Sequence, residues 1–257
     1  MYGKLKKTIK EMSEEFERHF PNAMVLPAIG NNDTQFHYQP EIGPLKEDYY
    51  DFLVDEFFNN HTANRKLPNL PQIEKTMHQG GWYRVDIAPE LTMLTLNTLY
   101  FNDYRYGDDA DFKAGCQEQL KWLEAQLQES HIPGHKFILN SHIYETASFK
   151  HYAYPDWKED ENQKKFFELL KTYRHKIAFE VAGHDHKADF RFHTVDGNKE
   201  DFFLNKILFP SITPNASSQP AFSTFQYDTE EKTFENLEIT YLRLTETNNL
   251  PKETPIT

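Results

Sequence analysis

The sequence is short of three things. It has a single cysteine, Cys116, among 257 residues, so no disulfide can form within the chain. It has no run of about 18 apolar residues, the length a transmembrane helix needs, and its mean hydropathy is −0.77. It is also short of positive charge: 28 Lys and Arg against 40 Asp and Glu leave a net charge of −12. A protein that grips a nucleic-acid backbone needs a basic face, so nucleic acid is not an expected partner. The opening residues, Met1 to Lys7, are basic but lead into no apolar core, so no secretory signal is read there. On that reading the chain stays in the cytosol. No internal repeat and no low-complexity segment is present.

What the chain has is a large aromatic content, 15% of all residues, with 21 Phe and 14 Tyr. Much of the core is therefore expected to be aromatic. Leu5, Ile9, Met12, Phe16 and Phe20 follow helical spacing and end at Pro21. The apolar run Ala23 to Ile29 reads as a buried strand, with Gly30-Asn31-Asn32-Asp33 as the loop at its C-terminal end. Lys46 to Phe58 reads as a helix and Asn59 to Pro71 as a polar connection. Trp82 to Ile87 and Leu91 to Leu99 read as two strands around the Ala88-Pro89-Glu90 turn. A helix then aligns Cys116, Leu120, Leu123 and Leu127. Phe137 to Asn140 is a short strand ending in Ser141-His142. A helix over Asp160 to Tyr173 precedes a strand, Ile177 to Ala182, that ends in Gly183-His184-Asp185-His186. Strands at Asp189 to Thr194, Phe202 to Phe209, Ala221 to Tyr227 and Thr233 to Leu244 complete the pattern. Residues 1–244 form one domain on this reading, and 245–257 a polar tail.

This alternation predicts a layered α/β domain, and in such folds ligands bind beyond the C-terminal ends of strands. Three polar clusters sit there: Asn31 to Asp33, Ser141-His142, and His184 to His186. Taken singly each has a bland explanation. Gly-Asn-Asn-Asp is an ordinary turn sequence, and a lone Ser-His is more often a hydrogen-bonded structural pair. Together they offer imidazoles and an amide oxygen at three strand ends, a donor set for divalent metal. The remaining histidines, among them His19, His61, His131, His135 and His175, read as surface residues.

The combination resembles the calcineurin-like metallophosphoesterases, whose later motifs are Gly-Asn-His-Asp, a His after a strand, and Gly-His-x-His. Within them it is similar to the acid sphingomyelinase-like and endopolyphosphatase-like branch. Gly30-Asn31-Asn32-Asp33 after a Pro-Ala-hydrophobic run carries that likeness. So do Leu96-Asn97-Thr98-Leu99-Tyr100, the helix Gln119 to Leu123, and Phe209-Pro210-Ser211-Ile212-Thr213-Pro214-Asn215. It extends from about Phe20 to Leu242.

The resemblance implies an α-β-β-α sandwich and hydrolysis of a phosphoester or phosphoanhydride with two divalent metal ions, zinc first and manganese or iron as alternatives. It implies that Asn31, His142 and His184 ligate one metal, that His186 ligates the other, and that Asp33 supports the first motif. The position usually held by a His that protonates the leaving group or binds phosphate is Asn32. An amide can hydrogen-bond a phosphate oxygen but cannot act as a general acid near neutral pH. The implied substrates are a phosphorylated small molecule, a phospholipid or polyphosphate. Relatives of this branch are usually secreted, lysosomal or vacuolar, and Asn60-His61-Thr62 and Asn215-Ala216-Ser217 fit the glycosylation triplet.

The family opens with Asp-x-His and Gly-Asp-x-x-Asp, and neither stands upstream of Asn31. Those motifs supply two ligands of one metal and the carboxylate that bridges both. The expectation is thus an N-terminally incomplete domain with impaired hydrolase activity. The alternative is an inactive pseudoenzyme that binds one metal or an anion.

Overall fold

The computed structural model describes residues 2–104, 110–129, 133–146, 156–195, 198–215 and 218–247. Its helices are α1 (Tyr2–His19), α2 (Lys46–Val54), α3 (Leu70–Gly80), α4 (Ala110–Glu129), α5 (Glu161–Thr172) and a final turn, α6 (Leu244–Thr247). Its strands are β1 (Tyr83–Ala88), β2 (Leu91–Thr95), β3 (Lys136–Asn140), β4 (Ile177–Ala182), β5 (Asp189–Val195), β6 (Asn198–Leu208), β7 (Ala221–Asp228) and β8 (Thr233–Tyr241).

Six strands form one sheet in the order β1-β2-β3-β4-β6-β5. The four central strands run parallel, and the two edge strands are antiparallel to their neighbours. Parallel strands are usually buried on both faces, and that holds here. Helical residues such as Tyr49, Leu53, Met77, Leu123 and Leu170 cover one face. The hairpin β7–β8 covers the other, packing Phe225, Tyr227, Phe234 and Leu237 onto Phe179, Val181 and Ile207. Phe179 meets Phe225 and Phe234 edge-on at 5.7 and 5.6 Å between ring centres. Such pairs add to burial because ring edges and faces carry opposite partial charge. The result is the expected layered α/β arrangement: helices, a central sheet, and a second sheet.

The apolar helix face of α4 is as read, with Cys116, Leu120, Leu123 and Leu127 all buried. Asp160 caps α5, accepting hydrogen bonds from the backbone N–H of Asn162 and Gln163, which satisfies donors the helix itself cannot.

Four sequence readings need correction. The run Ala23 to Ile29 is not a strand. Pro27 has no N–H to give a ladder, and side chains bind the backbone instead. The Asn64 amide spans the Val25 N–H and C=O at 3.1 and 2.6 Å, Asn140 donates to the Leu26 carbonyl, and Tyr83 to that of Pro27. The connection after Asn59 leads into α3, which Pro71 opens and Gly81, at φ 83°, closes. Residues 98–100 leave the β2 strand as a 3-10 turn whose Asn97 cap is locked by Gln119 of α4. Finally, His61 and His135 are buried, not on the surface. His61 lies 3.5 Å from Glu17, and His135 bonds the Thr92 hydroxyl at 2.9 Å. His19 and His175 are exposed as expected. His131, the ends of the tail at 248–257, and Ala216-Ser217 fall outside the described residues.

Candidate metal centre

The site stands where two adjacent parallel strands end. β3 delivers Ser141-His142 and β4 delivers Gly183-His184. The two loops are tied together by the Ser141 N–H to the Val181 carbonyl and the Gly183 N–H to the His142 carbonyl, at 3.0 and 3.2 Å. The Ile143 N–H is held by the Thr98 hydroxyl at 2.9 Å. Asn31 approaches from the turn after residue 30.

Asn31 is oriented by its own amide. Its Nδ2 lies 2.7 Å from His37 Nε2, and an amide nitrogen can only donate. That turns Oδ1 toward the two other imidazoles, 2.7 Å from His142 Nε2 and 3.3 Å from His184 Nδ1. The rings of His142 and His184 meet edge-on at 5.2 Å. Sequence positions 31, 142 and 184 thus converge on one point. His186 lines the same cavity of about 380 Å³, together with His142, His184, Ser141, Phe209 and Ile212.

His184 and His186 both have left-handed backbone, with φ of 77° and 61°. This costs a non-glycine residue about 1–3 kcal/mol and is typical of segments whose geometry serves a site. Gly30 has a different reason. A Cβ there would lie 2.9 Å from Asp33 Oδ2 and 3.1 Å from His142 Cε1. Gly30→Ala is expected to push His142 off its position, costing about 1–3 kcal/mol. A thermal melt and a zinc titration of the variant check this, and an unchanged zinc affinity counts against it.

Asp33 has the supporting place. Its carboxylate accepts the Gly30 N–H at 2.8 Å, and its carbonyl accepts the Tyr49 hydroxyl at 2.6 Å. Burial pushes its carboxyl above the usual range, against the opposing pull of the Gly30 N–H. Asn32 does not join the histidines. It is exposed and lines a second, apolar cavity of about 570 Å³ with Leu5, Ile9, Phe16 and Asp33. Asn60 and Asn215 are exposed.

Several groups at the site carry no sequence signal. Asp156, buried, lies 2.8 Å from His184 Nε2. The Tyr38 hydroxyl is 3.3 Å from that nitrogen. His37 sets the Asn31 amide. None of these stands in a recognisable pattern; only the closed fold brings them in. A Gly-Asp-x-x-Asp string does occur at residues 107–111, but downstream of Asn31, opposite to the family order. Of it only Ala110 and Asp111 are described, both exposed on the first turn of α4.

The donor set suits a divalent cation. Two bonds of about 2.1 Å from one cation, roughly 80–110° apart, place their donors about 2.7–3.4 Å from each other. The Asn31 Oδ1 distances fall within that range. The set is neutral, however. Among the described residues no three His, Cys, Asp or Glu side chains gather as a metal-binding group.

No protein-family model matches the chain. Its relatives include sphingomyelin phosphodiesterase 2 of Caenorhabditis elegans, 26% identical over 263 residues that cover 96% of this chain and 39% of that protein. The human cyclic GMP-AMP phosphodiesterase SMPDL3A is 27% identical, covering 93% of this chain and 51% of that protein. An endopolyphosphatase of Schizosaccharomyces pombe is 27% identical, covering 69% and 28%. The chain therefore spans about half or less of the length of these relatives. A dimetal phosphatase structure from Danio rerio aligns with a TM-score of 0.45 at 14% identity, over 86% of this chain and 82% of that one. The relatives bear out the resemblance to the calcineurin-like metallophosphoesterases. Within that superfamily they fall on the branch of the sphingomyelin phosphodiesterases and the endopolyphosphatase. Among the described residues no helix is long and apolar enough to cross a membrane.

Proposed function

We propose that the chain holds one divalent cation through Asn31, His142 and His184 and acts on phosphoesters as a metal-dependent hydrolase of the phosphodiesterase or phosphatase kind. The observation that carries this reading is the convergence of the Asn31 oxygen with one nitrogen of each histidine. Imidazole favours zinc, with manganese or iron as alternatives. A cation bound there supplies Lewis acidity toward a phosphoryl oxygen. The chain's own groups do the rest. His186, on the wall of the same cavity, is placed to hydrogen-bond a phosphoryl oxygen or pass a proton to a departing one. Phe209 and Ile212 give that cavity an apolar side for the group attached to phosphorus. The Asn32 side chain, lining the other cavity, takes no part in proton transfer. Relatives named for sphingomyelin, cyclic GMP-AMP and polyphosphate have phosphorus–oxygen bond cleavage in common, and that chemistry is proposed here.

A second reading, binding without turnover, is favoured by the neutral donor set. Nothing in it offsets the charge of two dications, and among the described residues the motifs leave only His186 for a second metal. The two readings separate in a side-by-side assay on a chromogenic phosphodiester and on polyphosphate, with zinc or manganese added. This chain is expected to turn over slowly, and a chelator to abolish the activity. A chain with Asp-x-His and Gly-Asp-x-x-Asp upstream of Asn31 is expected to be faster by on the order of 10²–10³. Equal rates would show that the missing carboxylates do not limit the site. Zinc binding without any turnover would favour the second reading.

A further inference from the structure

We propose that Asp156 sets the tautomer of His184, and so determines which ring nitrogen the site receives; this positioning role rests on the metal reading above. Asp156 Oδ2 lies 2.8 Å from His184 Nε2, and both side chains are almost fully buried, at 3% and 1% exposure. A carboxylate is acceptor-only, so the ring proton sits on Nε2. In the neutral imidazole that leaves Nδ1 as a bare lone pair. Nδ1 is the atom that faces Asn31 Oδ1 at 3.3 Å. Without the carboxylate only the Tyr38 hydroxyl, 3.3 Å away, would face Nε2, and the acceptor Asn31 Oδ1 would draw the proton to Nδ1; a ring protonated there could not bind a cation through it.

Asp156 is itself held in place. Its carbonyl accepts the Asp103 N–H at 2.8 Å, and the Tyr104 hydroxyl donates to its Oδ1 at 3.2 Å. The next residue, Trp157, bridges to Asn102 and stacks on Phe101 at 4.3 Å between ring centres. The Trp157 indole N–H donates to the Ile143 carbonyl at 2.9 Å, one residue past His142. Two consecutive residues on one return of the chain thus reach both histidine loops. Asp156 orients the His184 ring, and Trp157 anchors the backbone behind His142.

Two measurements test this. In the metal-free wild-type chain, long-range proton–nitrogen correlation of the His184 ring is expected to show the proton on Nε2. Zinc affinity, read by competition with a chromophoric chelator, is expected to fall about 10–100-fold in Asp156→Asn, the range for loss of such an outer partner. Asp156→Glu is expected to regain part of it. A purely structural role would leave the His184 nitrogen signature unmoved. A wild-type ring protonated on Nδ1 overturns the proposal, as does a folded Asp156→Asn chain with wild-type zinc affinity. Should Asp156→Asn fail to fold, the wild-type ring measurement still decides. If the wild-type chain bound no zinc, the metal reading would fail, yet the ring proton would still report on Asp156.

Discussion

Replacing His184 with alanine is expected to cost the chain its cation. The change removes one of three converging donors, and the two left, Asn31 Oδ1 and His142 Nε2, are both neutral. Loss of even an outer-shell partner typically costs 10–100-fold in metal affinity, so loss of a ligand should cost about a hundredfold or more. Elemental analysis of purified protein and a zinc titration both read this. The control is His175→Ala, because His175 is exposed. His135 does not serve, because it is buried against Thr92 and its removal disturbs packing. His184→Ala also leaves the buried Asp156 without its imidazole, a loss of about 1–3 kcal/mol. His142→Ala, whose ring is half-buried, separates the two effects: it should lose zinc as fully with a smaller drop in stability. Equal zinc content in His184→Ala and His175→Ala would remove His184 from the site.

The strand ends that carry His142 and His184 are legible because each depends on local pattern, whereas Asn31 follows a run that forms no strand. An apolar strand followed by a polar turn marks a strand end wherever the strand lies, and in a parallel sheet such ends share one edge. β4 matches its expected span, Ile177 to Ala182, for this reason. What could not be read depends on contacts between distant parts of the chain. Whether Ala23 to Ile29 pairs as a strand turns on Asn64 and Asn140, 39 and 114 residues from their carbonyl partners. His135 reads as a surface residue from its local sequence, yet its partner Thr92 lies 43 residues away. Asp156 has no signature at all. A lone carboxylate is assigned to solvent until the fold shows an imidazole against it.

The same limit applies to the buried charges behind the His142 loop, where the second large effect is expected. Lys206 of β6 and Glu180 of β4 are register partners. Lys206 pairs with Glu180 at 3.2 Å and with Glu145, and Glu145 also takes His193. Glu180 accepts the Ser141 hydroxyl at 3.0 Å, next to His142. Lys206 and both glutamates are essentially inaccessible to solvent. Removing one partner from such a group leaves charge buried and uncompensated, which typically costs 3–5 kcal/mol. Lys206→Met is expected to lose about that much at pH 7, a drop in Tm of roughly 10 °C.

The loss should depend on pH, with a definite sign. For Glu145 burial raises the carboxyl, but Lys206 and His193 outweigh it and hold it far below its usual range. Its stabilisation is therefore present above about pH 4.5 and is lost on acidification. For Glu180 burial dominates, the charge of Glu145 adds to it, and the carboxyl is pushed up to about 7 despite Lys206. Its contribution is full below about pH 4.5 and is lost as pH rises through 7. In the wild-type chain the two trends thus fall in different intervals, that of Glu145 below about pH 4.5 and that of Glu180 between about 4.5 and 7. Without the lysine both carboxyls would be raised, and both would cost stability as pH rises. The deficit of Lys206→Met should thus widen from pH 4.5 to pH 7, by at most about 1.4 kcal/mol per pH unit for each proton involved. Chemical denaturation at pH 5 and pH 7 checks this. An equal deficit at both would mean that lost packing of the lysine stem, not uncompensated carboxylate charge, is the cause. The triple change Lys206→Met, Glu145→Gln and Glu180→Gln separates the two causes further. It should restore stability if charge is the cause, because no carboxylate then remains to be left unpaired.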